Sequence, residues 1–399
     1  VTTACHHCAD PGCLNGCPVL AYEKDPRTGI VRHLDDQCIG CQYCILTCPY
    51  DVPKYNDRLG IVRKCDMCHQ RLGAGEAPAC VQACPTQAIR IVTVYTHNRE
   101  TDTSLFLPGA PAPELTQPTT RYISTRALPS DLRAADAGFA RVQPAHTPLA
   151  IMLILTQAAL GLEAAALFVA NRGTGQFSPS LLNWAAWTAT LSGLVVSVAH
   201  LGQPLRAWRI FLNLRESWLS REAVLFGAWF AALSGALVLE HGWLEFSRRA
   251  PAPPFAAVAL VLGSLGVACS AMIYAATGRK AWRPAIVLTK FFATVLFVAA
   301  TIVWPVAGAG VLALKLFSEE LTLQFGPVAP RQLAAGVLRP VFLARRILGV
   351  IGAALLVLSL LAPHAWLLGG ALALAGEFVE RSVFFRAVDA SRMPGQPSA

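Results

Sequence analysis

Seven long apolar stretches fill most of the chain after residue 146, and they limit its fold more than any other feature. Each approaches or exceeds the roughly 20 helical residues that cross the hydrocarbon core of a bilayer. A single segment in lipid must satisfy its own backbone hydrogen bonds, so these stretches can only be helices. They cover residues 147–170, 181–199, 223–239, 255–276, 284–304, 347–361 and 366–387.

An eighth, weaker stretch covers residues 306–323 and carries Lys315, Glu319 and Glu320. With it, the sequence predicts an all-α polytopic membrane bundle of about eight transmembrane helices over residues 146–390, followed by a tail at 391–399. The composition agrees, because 54% hydrophobic and only 14% charged residues is unusual for a soluble protein. The net charge of +9 comes mainly from arginines in loops between apolar stretches, which is typical of membrane topology and argues against nucleic-acid binding.

The first part of the chain holds twelve of the thirteen cysteines, in three regular groups that each end in Cys-Pro. The spacings are C-x2-C-x4-C-x3-C, C-x2-C-x2-C-x3-C and C-x2-C-x11-C-x3-C, and the second has the spacing of bacterial ferredoxins. The groups are Cys5, Cys8, Cys13 and Cys17; then Cys38, Cys41, Cys44 and Cys48; then Cys65, Cys68, Cys80 and Cys84.

This spacing lets one loop bind three corners of a 4Fe-4S cubane, while the Cys before the proline binds the other cluster of a pair. Pairing the first two groups therefore predicts two clusters. One would lie on Cys5, Cys8, Cys13 and Cys48, and the other on Cys38, Cys41, Cys44 and Cys17. Structural zinc is the alternative, but a tetrahedral zinc site needs neither the third Cys of a run nor the repeated Cys-Pro ends.

The third group, Cys65 to Cys84, has no partner run, and we expect one upstream of Val1; up to four clusters would then be present. Short strands are expected at residues 29–31 and 88–92. The sequence thus predicts an α+β ferredoxin-type 4Fe-4S domain at residues 1–95, without its first Cys run. Residues 96–145 are rich in Pro, Thr and Arg and are predicted to form a linker or docking arm.

Basic residues in the loops predict the orientation in the membrane. On the eight-helix count, the loops that share a side with the iron-sulfur domain hold Arg206, Arg209, Arg215, Arg221, Arg279, Lys280, Arg283, Arg331, Arg339, Arg345 and Arg346. The opposite loops hold Arg172, Arg248 and Arg249. This bias predicts a protein of the inner (cytoplasmic) membrane whose iron-sulfur domain faces the cytoplasm, although a basic docking face for a partner subunit would produce the same bias.

His200 ends the second helix and Glu222 opens the third, both near the side of the iron-sulfur domain. A quinol needs a proton acceptor beside an electron acceptor, and histidine titrates in the useful range. The alternative is a helix-end His and a first-turn Glu that the helix dipole favours. The spacing alone leaves both interpretations open.

Five other residues stand out in the apolar stretches. Glu377 and Arg381 lie four residues apart on one helical face and are predicted to form an internal ion pair. Glu163 and Lys290 are expected to line a polar cavity or to lie near a helix end. Cys269 is expected to be a small packed side chain.

Together these features resemble the dimethyl sulfoxide reductase family, with its iron-sulfur electron-transfer subunit fused to its membrane-anchor subunit. The resemblance rests on the Cys motifs of residues 1–95 and on three anchor motifs: His-Leu-Gly-Gln-Pro-Leu-Arg-Ala from His200, Leu-Ser-Arg-Glu ending at Glu222, and Gly376-Glu377 with Arg381. The family's first Cys run is absent here, which affects the outer end of the electron path.

The resemblance implies a site for menaquinol or another quinol at His200 and Glu222, with the cluster on Cys38, Cys41, Cys44 and Cys17 nearest the membrane. Electrons would then pass to a separate molybdopterin catalytic subunit that reduces an S-oxide or N-oxide in anaerobic respiration. Two alternatives remain open. One is an iron-sulfur and anchor protein of the polysulfide reductase type, and the other is a redox-responsive membrane scaffold that carries no current.

Overall fold

The computed structural model describes residues 5–93, 106–128, 132–133, 140–173, 177–242, 253–390 and 393–394. The chain forms two compact units. The first contains Val1–Phe139, Leu201–Ser217 and Ala390–Ala399, and the second contains Ala140–His200 and Trp218–Asp389. The loop Leu201–Ser217 therefore belongs to the cysteine-rich unit, although it connects two long helices of the other unit.

The first unit is built from two small antiparallel hairpins and four short helices. The hairpins pair β1 (Tyr22–Lys24) with β2 (Val31–His33), and β3 (Lys54–Asn56) with β4 (Ile61–Arg63). The helices are α1 (Gly12–Asn15), α2 (Tyr43–Thr47), α3 (His69–Gly73) and α4 (Ala79–Gln82). A 3-10 turn, Pro113–Leu115, follows them.

One of the two predicted strands is shifted, and the other is wrong. The strand expected at 29–31 begins only at Val31, because Gly29 adopts φ +69° and its N–H closes the turn onto the Asp25 carbonyl at 2.8 Å. Residues 88–92 are irregular, and Ile91 and Val92 are 45% and 67% exposed. A β-strand gains its stability from packing and pairing, and these side chains have neither.

Cysteines lie inside both hydrophobic clusters of the first unit. One cluster surrounds Cys13, Cys17, Cys38 and Cys44 with side chains of the hairpins. In the other cluster, Cys8 and Tyr50 pack against Phe106, Leu107 and Met393. Part of the segment predicted as a linker is thus a packed component of this unit.

The second unit contains eight long helices in its described part, together with the short α11 (Val328–Ala335). The long helices are α5 (Thr147–Arg172), α6 (Pro179–Val198), α7 (Trp218–His241), α8 (Pro253–Ala275), α9 (Pro284–Val303), α10 (Pro305–Phe325), α12 (Arg339–Leu358) and α13 (Ala365–Arg386). By length and composition, six of them can cross a membrane. The other two, α10 and α13, each carry at least three charged residues.

Proline fixes where several of these helices begin, because its missing N–H is not needed in the first turn. It stands there in α5, α6, α9, α10 and α12. Between α9 and α10 the break is a single residue, Trp304, in an extended conformation with φ −154° and ψ 105°. Pro305 then ends α9 and starts α10.

Small residues allow close helix packing in the second unit. A Cβ added to Gly352 of α12 would lie 3.0 Å from both the Cβ of Ala373 and the carbonyl of Gly369 on α13. On α5, a Cβ added to Gly161 would lie 2.7 Å from the Val295 carbonyl of α9. In lipid, the hydrophobic effect contributes little to helix association. Helices there usually associate through close backbone contacts at small residues.

Candidate functional site

Four thiols surround one cavity of about 20 Å³ in the first unit: Cys5, Cys8, Cys13 and Cys48. We call this set the first cage. Cys13 lies on α1, and Cys48 caps the carboxyl end of α2 in an extended conformation. The cage thus takes three thiols from the first Cys group and its fourth from the second.

The complementary set surrounds a second cavity of about 10 Å³: Cys17, Cys38, Cys41 and Cys44. We call it the second cage. The exchange of Cys17 and Cys48 follows from the packing of α1 against α2. Gly12 and Gly16 make this packing possible, since a Cβ at Gly12 would lie 2.8 Å from the Thr47 carbonyl.

Burial keeps these thiols protonated as long as no metal is bound. Burial raises the pKa of Cys8 and of Cys41 to about 12, and that of Cys17 to about 11. Such thiols do not ionise alone near neutral pH, so a metal must replace the proton for them to act as ligands. The Ala21 N–H points at the Cys17 sulfur at 3.3 Å, and the Gly40 N–H points at the Cys38 sulfur at 3.4 Å, as hydrogen bonds to a bound thiolate require.

Across the described residues, no group of three or more His, Cys, Asp or Glu side chains is placed to hold a single metal ion. A cubane needs a different arrangement of ligands, because each of its four irons binds one thiolate. The four thiolate sulfurs therefore lie around the cluster and do not meet at one metal ion. Both cages have this donor set, with four thiols each. The cysteines therefore fit 4Fe-4S clusters.

Lys64 also lines the first cavity. Its ammonium donates a hydrogen bond to the Val31 carbonyl and, at 2.9 Å, to the Cys65 carbonyl. Burial raises the pKa of Cys5, and the charge of Lys64 opposes that rise. Lys64 was not predicted as a site residue from the sequence, although its position directly before Cys65 could have indicated that it lies near a cluster.

The third cysteine group lies at the surface of the first unit. Cys65 and Cys80 are exposed, and Cys68 and Cys84 are half-buried. The Cys65 sulfur lies 4.0 Å from Nε2 of His7. In the sequence, His7 lies between Cys5 and Cys8 of the first cage.

The first half of the loop 201–217 is hydrogen-bonded to the wall of the second cage. The Gln203 N–H donates to the Ile39 carbonyl at 3.0 Å, and its side-chain amide donates to the Leu59 carbonyl at 2.9 Å. Nη1 of Arg206 donates to the Cys38 carbonyl at 3.3 Å. One residue of the motif that starts at His200, Arg206, therefore contacts a cysteine of the second cage.

The second half of the same loop contacts the other end of the cage. The Asn213 side-chain amide donates to the Cys17 carbonyl at 2.9 Å, and its backbone N–H donates to the Pro18 carbonyl at 3.2 Å. The Ser217 hydroxyl donates to the Gly16 carbonyl at 2.8 Å. Asn213 and Ser217 are both buried, and no feature of the sequence singled them out.

Three glycines let the loop approach so closely. Gly40 and Gly60 adopt φ +70° and +64°, and a Cβ on Gly202 would overlap the Gly60 carbonyl. A Cβ on Gly40 would in turn lie 2.8 Å from the Gly202 nitrogen. Only glycine fits this contact between three backbone segments.

His200 follows α6 in the second unit and is half-buried. Its Nδ1–H donates to the Ser197 carbonyl, which leaves Nε2 as the acceptor nitrogen. Burial lowers the pKa of His200, so the ring is neutral near pH 7. A neutral imidazole with a free Nε2 can accept a proton.

Glu222 follows the first turn of α7, since this helix already begins at Trp218, so the expected first-turn position is wrong. Its side chain is 5% exposed and lies beside Ser270 of α8. Its Oε1 has no hydrogen-bond partner. A buried carboxyl oxygen without a partner is costly and often marks a site that binds a proton or a ligand. Between His200 and Glu222, both of which the structure describes, there is no hydrogen bond.

The predicted Glu377–Arg381 pair is wrong. Arg381 instead pairs with Glu380, whereas Glu377 pairs with Lys315 and with Arg345. Neighbours at four-residue spacing pair when nothing else competes, but here cations from other helices reach Glu377.

Several loop assignments also need correction. Arg172 ends α5, Arg221 lies within α7, and α12 contains Arg339, Arg345 and Arg346. Arg345 and Arg346 pair with Glu319 and Glu320 of α10. Glu163 is buried and accepts a hydrogen bond of 2.8 Å from Nε1 of Trp229.

Lys290 pairs with Glu380 at 2.8 Å and lines a cavity. Cys269 is half-buried in α8, near Glu222.

Two protein families match separate parts of the chain. Residues 1–94 match the 4Fe-4S dicluster domain, and residues 144–322 match the DMSO reductase anchor subunit (DmsC). The first match contains both cages, and the second contains α5 to α9 and most of α10.

Similar proteins cover the iron-sulfur part. The chain is 50% identical over 91 residues to the hydrogenase-2 operon protein HybA of Escherichia coli O157:H7. It is 37% identical over 118 residues to the B subunit of anaerobic dimethyl sulfoxide reductase of Haemophilus influenzae, and 47% over 89 residues to the formate dehydrogenase-O iron-sulfur subunit of Escherichia coli K12. These matches cover 21%, 30% and 22% of the chain. The chain spans 28%, 57% and 30% of the length of these relatives.

The two matches, the two thiol cages and the long apolar helices lead to one conclusion. This chain is a multi-pass membrane protein in which a segment that matches the 4Fe-4S dicluster domain is fused to a segment that matches the DMSO reductase anchor subunit (DmsC).

Proposed function

We propose that this chain is the electron-transfer and membrane-anchor part of a multisubunit molybdopterin oxidoreductase. It would carry electrons from membrane quinol to a separate catalytic subunit that reduces an S-oxide or N-oxide. The observation that carries the proposal is the loop 201–217, which connects two membrane helices and is hydrogen-bonded to the Cys17 and Cys38 carbonyls. A loop fixed on a cluster cage in this way gives the anchor a direct structural link to the electron path.

In this proposal the first cage holds one 4Fe-4S cluster and the second cage holds the other. When bound, such clusters accept and donate single electrons. The second cage is proposed to receive the electrons of the quinol first, as the resemblance implies, and its bonds to the loop 201–217 support this. The exposed third group, Cys65, Cys68, Cys80 and Cys84, would bind further clusters together with thiols from another segment or subunit.

His200 and Glu222 are the proposed proton acceptors for menaquinol or a similar quinol. Support comes from the free Nε2 of neutral His200 and from the unpartnered Oε1 of buried Glu222. Oxidation of a quinol releases two protons with its two electrons, so two acceptors meet the requirement. The role of each residue remains part of the proposal.

The location is proposed as the inner (cytoplasmic) membrane, with the iron-sulfur domain on the cytoplasmic face. Basic residues of the loop, such as Arg206 and Arg209, support it. Arg345 and Arg346 do not support this orientation, because both are paired with glutamates within the helical unit.

The test compares two electron donors to the same complex. With His200→Gln or Glu222→Gln, we expect quinol-driven activity to fall roughly 100-fold, the lower end of the range for a lost proton acceptor. Activity with an artificial donor that reduces the catalytic subunit directly should stay unchanged. His364→Gln is the matched control, because His364 is an exposed histidine just before α13. Equal loss with both donors, or loss with neither, would contradict the quinol site.

A second candidate keeps the same parts but reverses the current, so that the chain reduces quinone. It is favoured by the higher identity of the iron-sulfur part to HybA and to the formate dehydrogenase subunit than to the dimethyl sulfoxide reductase subunit. The match of residues 144–322 to the DmsC anchor favours quinol oxidation. Assaying the complex with quinol plus an S-oxide, and with quinone plus formate or hydrogen, distinguishes the two directions.

A further inference from the structure

The second unit buries an ionic network that the proposed quinol chemistry does not use. It contains seven ionisable side chains from four helices: Lys290 of α9, Lys315 and Glu319 of α10, Arg345 of α12, and Glu377, Glu380 and Arg381 of α13. We call these residues the buried network. Charges inside a membrane bundle are expensive and usually have a function.

Glu377 is the centre of one half of the buried network, and its side chain is fully buried. One of its oxygens accepts from Lys315 and, at 2.6 Å, from the Thr294 hydroxyl. The other oxygen accepts from Nη2 of Arg345 at 2.8 Å. Arg345 also donates two hydrogen bonds to Glu319, at 2.8 and 2.9 Å.

The other half is joined to the first through Thr294. Lys290 and Arg381 both pair with Glu380. Arg381 then reaches the Thr294 hydroxyl at 3.1 Å, and Lys315 reaches the same oxygen at 2.6 Å. From α5, Gln157 accepts from Arg381 at 2.8 Å.

The charges of the buried network do not balance. It has four basic side chains, Lys290, Lys315, Arg345 and Arg381, and three acidic ones, Glu319, Glu377 and Glu380. With every group ionised, one positive charge is left without a counterion in a bundle where unpaired charge is strongly unfavourable. Arginine does not lose its proton in proteins, whereas lysine does so readily when buried.

Lys315 is the lysine in the less favourable position. Its side chain is 1% exposed, against 19% for Lys290, and Arg345 and Arg381 share its acidic neighbours. A neutral Lys315 amine can still hydrogen-bond to Thr294 and Glu377. The excess charge is therefore removed most easily at Lys315.

A cavity of about 90 Å³ reaches the buried network from the side of Trp282 and Phe342. Glu319, Arg345 and Glu380 line it. A cavity of this size, with Glu319, Arg345 and Glu380 in its lining, has room for several water molecules, since about 15 Å³ is enough for one. Nη1 of Arg345 is buried and has no hydrogen-bond partner within the protein, so the protein groups of the buried network do not satisfy all of its donors.

We propose that the buried network is a proton-exchange site, in which Lys315 releases and takes up one proton through Glu377 and the water-filled cavity. The proton leaves the Lys315 ammonium for the Glu377 oxygen that it already contacts, giving a neutral amine and a neutral carboxyl group. Neither Lys315 nor Glu377 lines the cavity, but Arg345 lines it and contacts Glu377, so Glu377 passes the proton to a water molecule that enters from the cavity beside Arg345. The Glu377 carboxylate remains paired with Arg345. Uptake is the reverse. The site is separate from His200 and Glu222 and does not rest on the quinol proposal.

The experiment records infrared difference spectra of the intact complex in lipid between a neutral and an alkaline buffer, in H2O and in D2O. Wild type should show a shift of the Glu377 carboxylate bands together with the loss of an ammonium band that moves in D2O, because loss of the Lys315 proton changes the surroundings of Glu377. Lys315→Arg keeps the positive charge but cannot release a proton, so these bands should disappear.

The double variant Lys315→Met/Glu377→Gln should lose the same bands, and it guards against misfolding because it removes a buried cation and a buried anion together. Glu320→Gln/Arg346→Gln is the matched control, because this pair also removes one cation and one anion on α10 and a neighbouring helix, here α12, but at an exposed position. The control should keep the wild-type bands. Wild-type bands in Lys315→Arg and in the double variant would overturn the proposal. The measurement needs no quinol, so its outcome is independent of the quinol site.

Discussion

The side-chain amide of Asn213 donates a hydrogen bond of 2.9 Å to the carbonyl of Cys17, so a residue between two membrane helices holds the backbone of the second cage. Asn213→Ala should cost about 1 kcal/mol, the usual contribution of such a bond. For a unit as large as the first unit, that lowers the midpoint of cluster loss on heating by roughly 2–4 °C. Visible absorbance of the iron-sulfur unit measures it.

The control for Asn213 is Arg209→Gln, which loses only an exposed hydrogen bond to the Asp36 carbonyl and should leave the midpoint within error. Equal midpoints for Asn213→Ala and wild type would show that the loop does not stabilise the cage.

The exchange of Cys17 and Cys48 between the cages predicts which double variants are additive. Cys8→Ser/Cys48→Ser removes two ligands of the first cage, so its iron content should match that of Cys8→Ser alone. Cys8→Ser/Cys44→Ser damages both cages and should lose about twice as much iron. Iron and sulfide analysis with electron paramagnetic resonance gives the reading. Loss of about twice as much iron from both double variants would mean that each Cys group serves a single cluster.

The lowered pKa of His200 predicts the acid side of the pH profile. Its imidazole stays neutral, and able to accept a proton, from neutral pH to below the ordinary value of about 6.5. Quinol-driven turnover should therefore hold down to about pH 6.5 and fall only at lower pH, as His200 becomes protonated. In His200→Gln the residual rate should lack this decline. A profile that falls already above neutral pH would exclude His200 as the acceptor.

Burial of the Trp229–Glu163 hydrogen bond predicts a stability change in the helical unit. Trp229→Phe leaves the Glu163 carboxyl group without its donor, which should cost about 1–3 kcal/mol. Thermal unfolding in detergent, followed by circular dichroism, measures the loss. Trp229→Phe/Glu163→Leu should recover part of it, because the unpaired polar group is gone as well. No difference between the single and double variants would mean that Glu163 is already neutral and satisfied by another group.

Hydropathy predicted the helices of the second unit but misplaced several of their starts. α12 begins at Arg339 and not at residue 347, and α7 begins at Trp218 and not at residue 223. Apolar runs report which part of a helix can lie in lipid, and the first turns of these helices are polar. Helix length and apolar length therefore differ, most of all where charges such as Arg345 pair with another helix.

The partners of the charged residues could not be predicted, because they are distant in sequence. Glu377 lies 62 residues from Lys315 and 32 from Arg345, whereas the four-residue neighbour Arg381 turned out to pair elsewhere. Local spacing indicates which residues share a face of one helix. It carries no information about which face of another helix they meet.

The cysteine spacing was more informative, since it foresaw which thiols lie together. Cys48 lies with Cys5, Cys8 and Cys13, because a rule of cluster chemistry links residues that are far apart in the chain. The loop 201–217 had no comparable rule. Its Gly202 belongs to the motif that starts at His200, but its contact with Gly60 depends on the fold of the first unit.

The interchange of Cys17 and Cys48 also limits how this unit could be assembled. Cutting the chain anywhere between Cys17 and Cys38 would leave the amino-terminal piece with three thiols for one cluster and a single thiol for the other. Neither fragment could mature by itself, so cluster insertion has to wait until both runs have been synthesised and brought together.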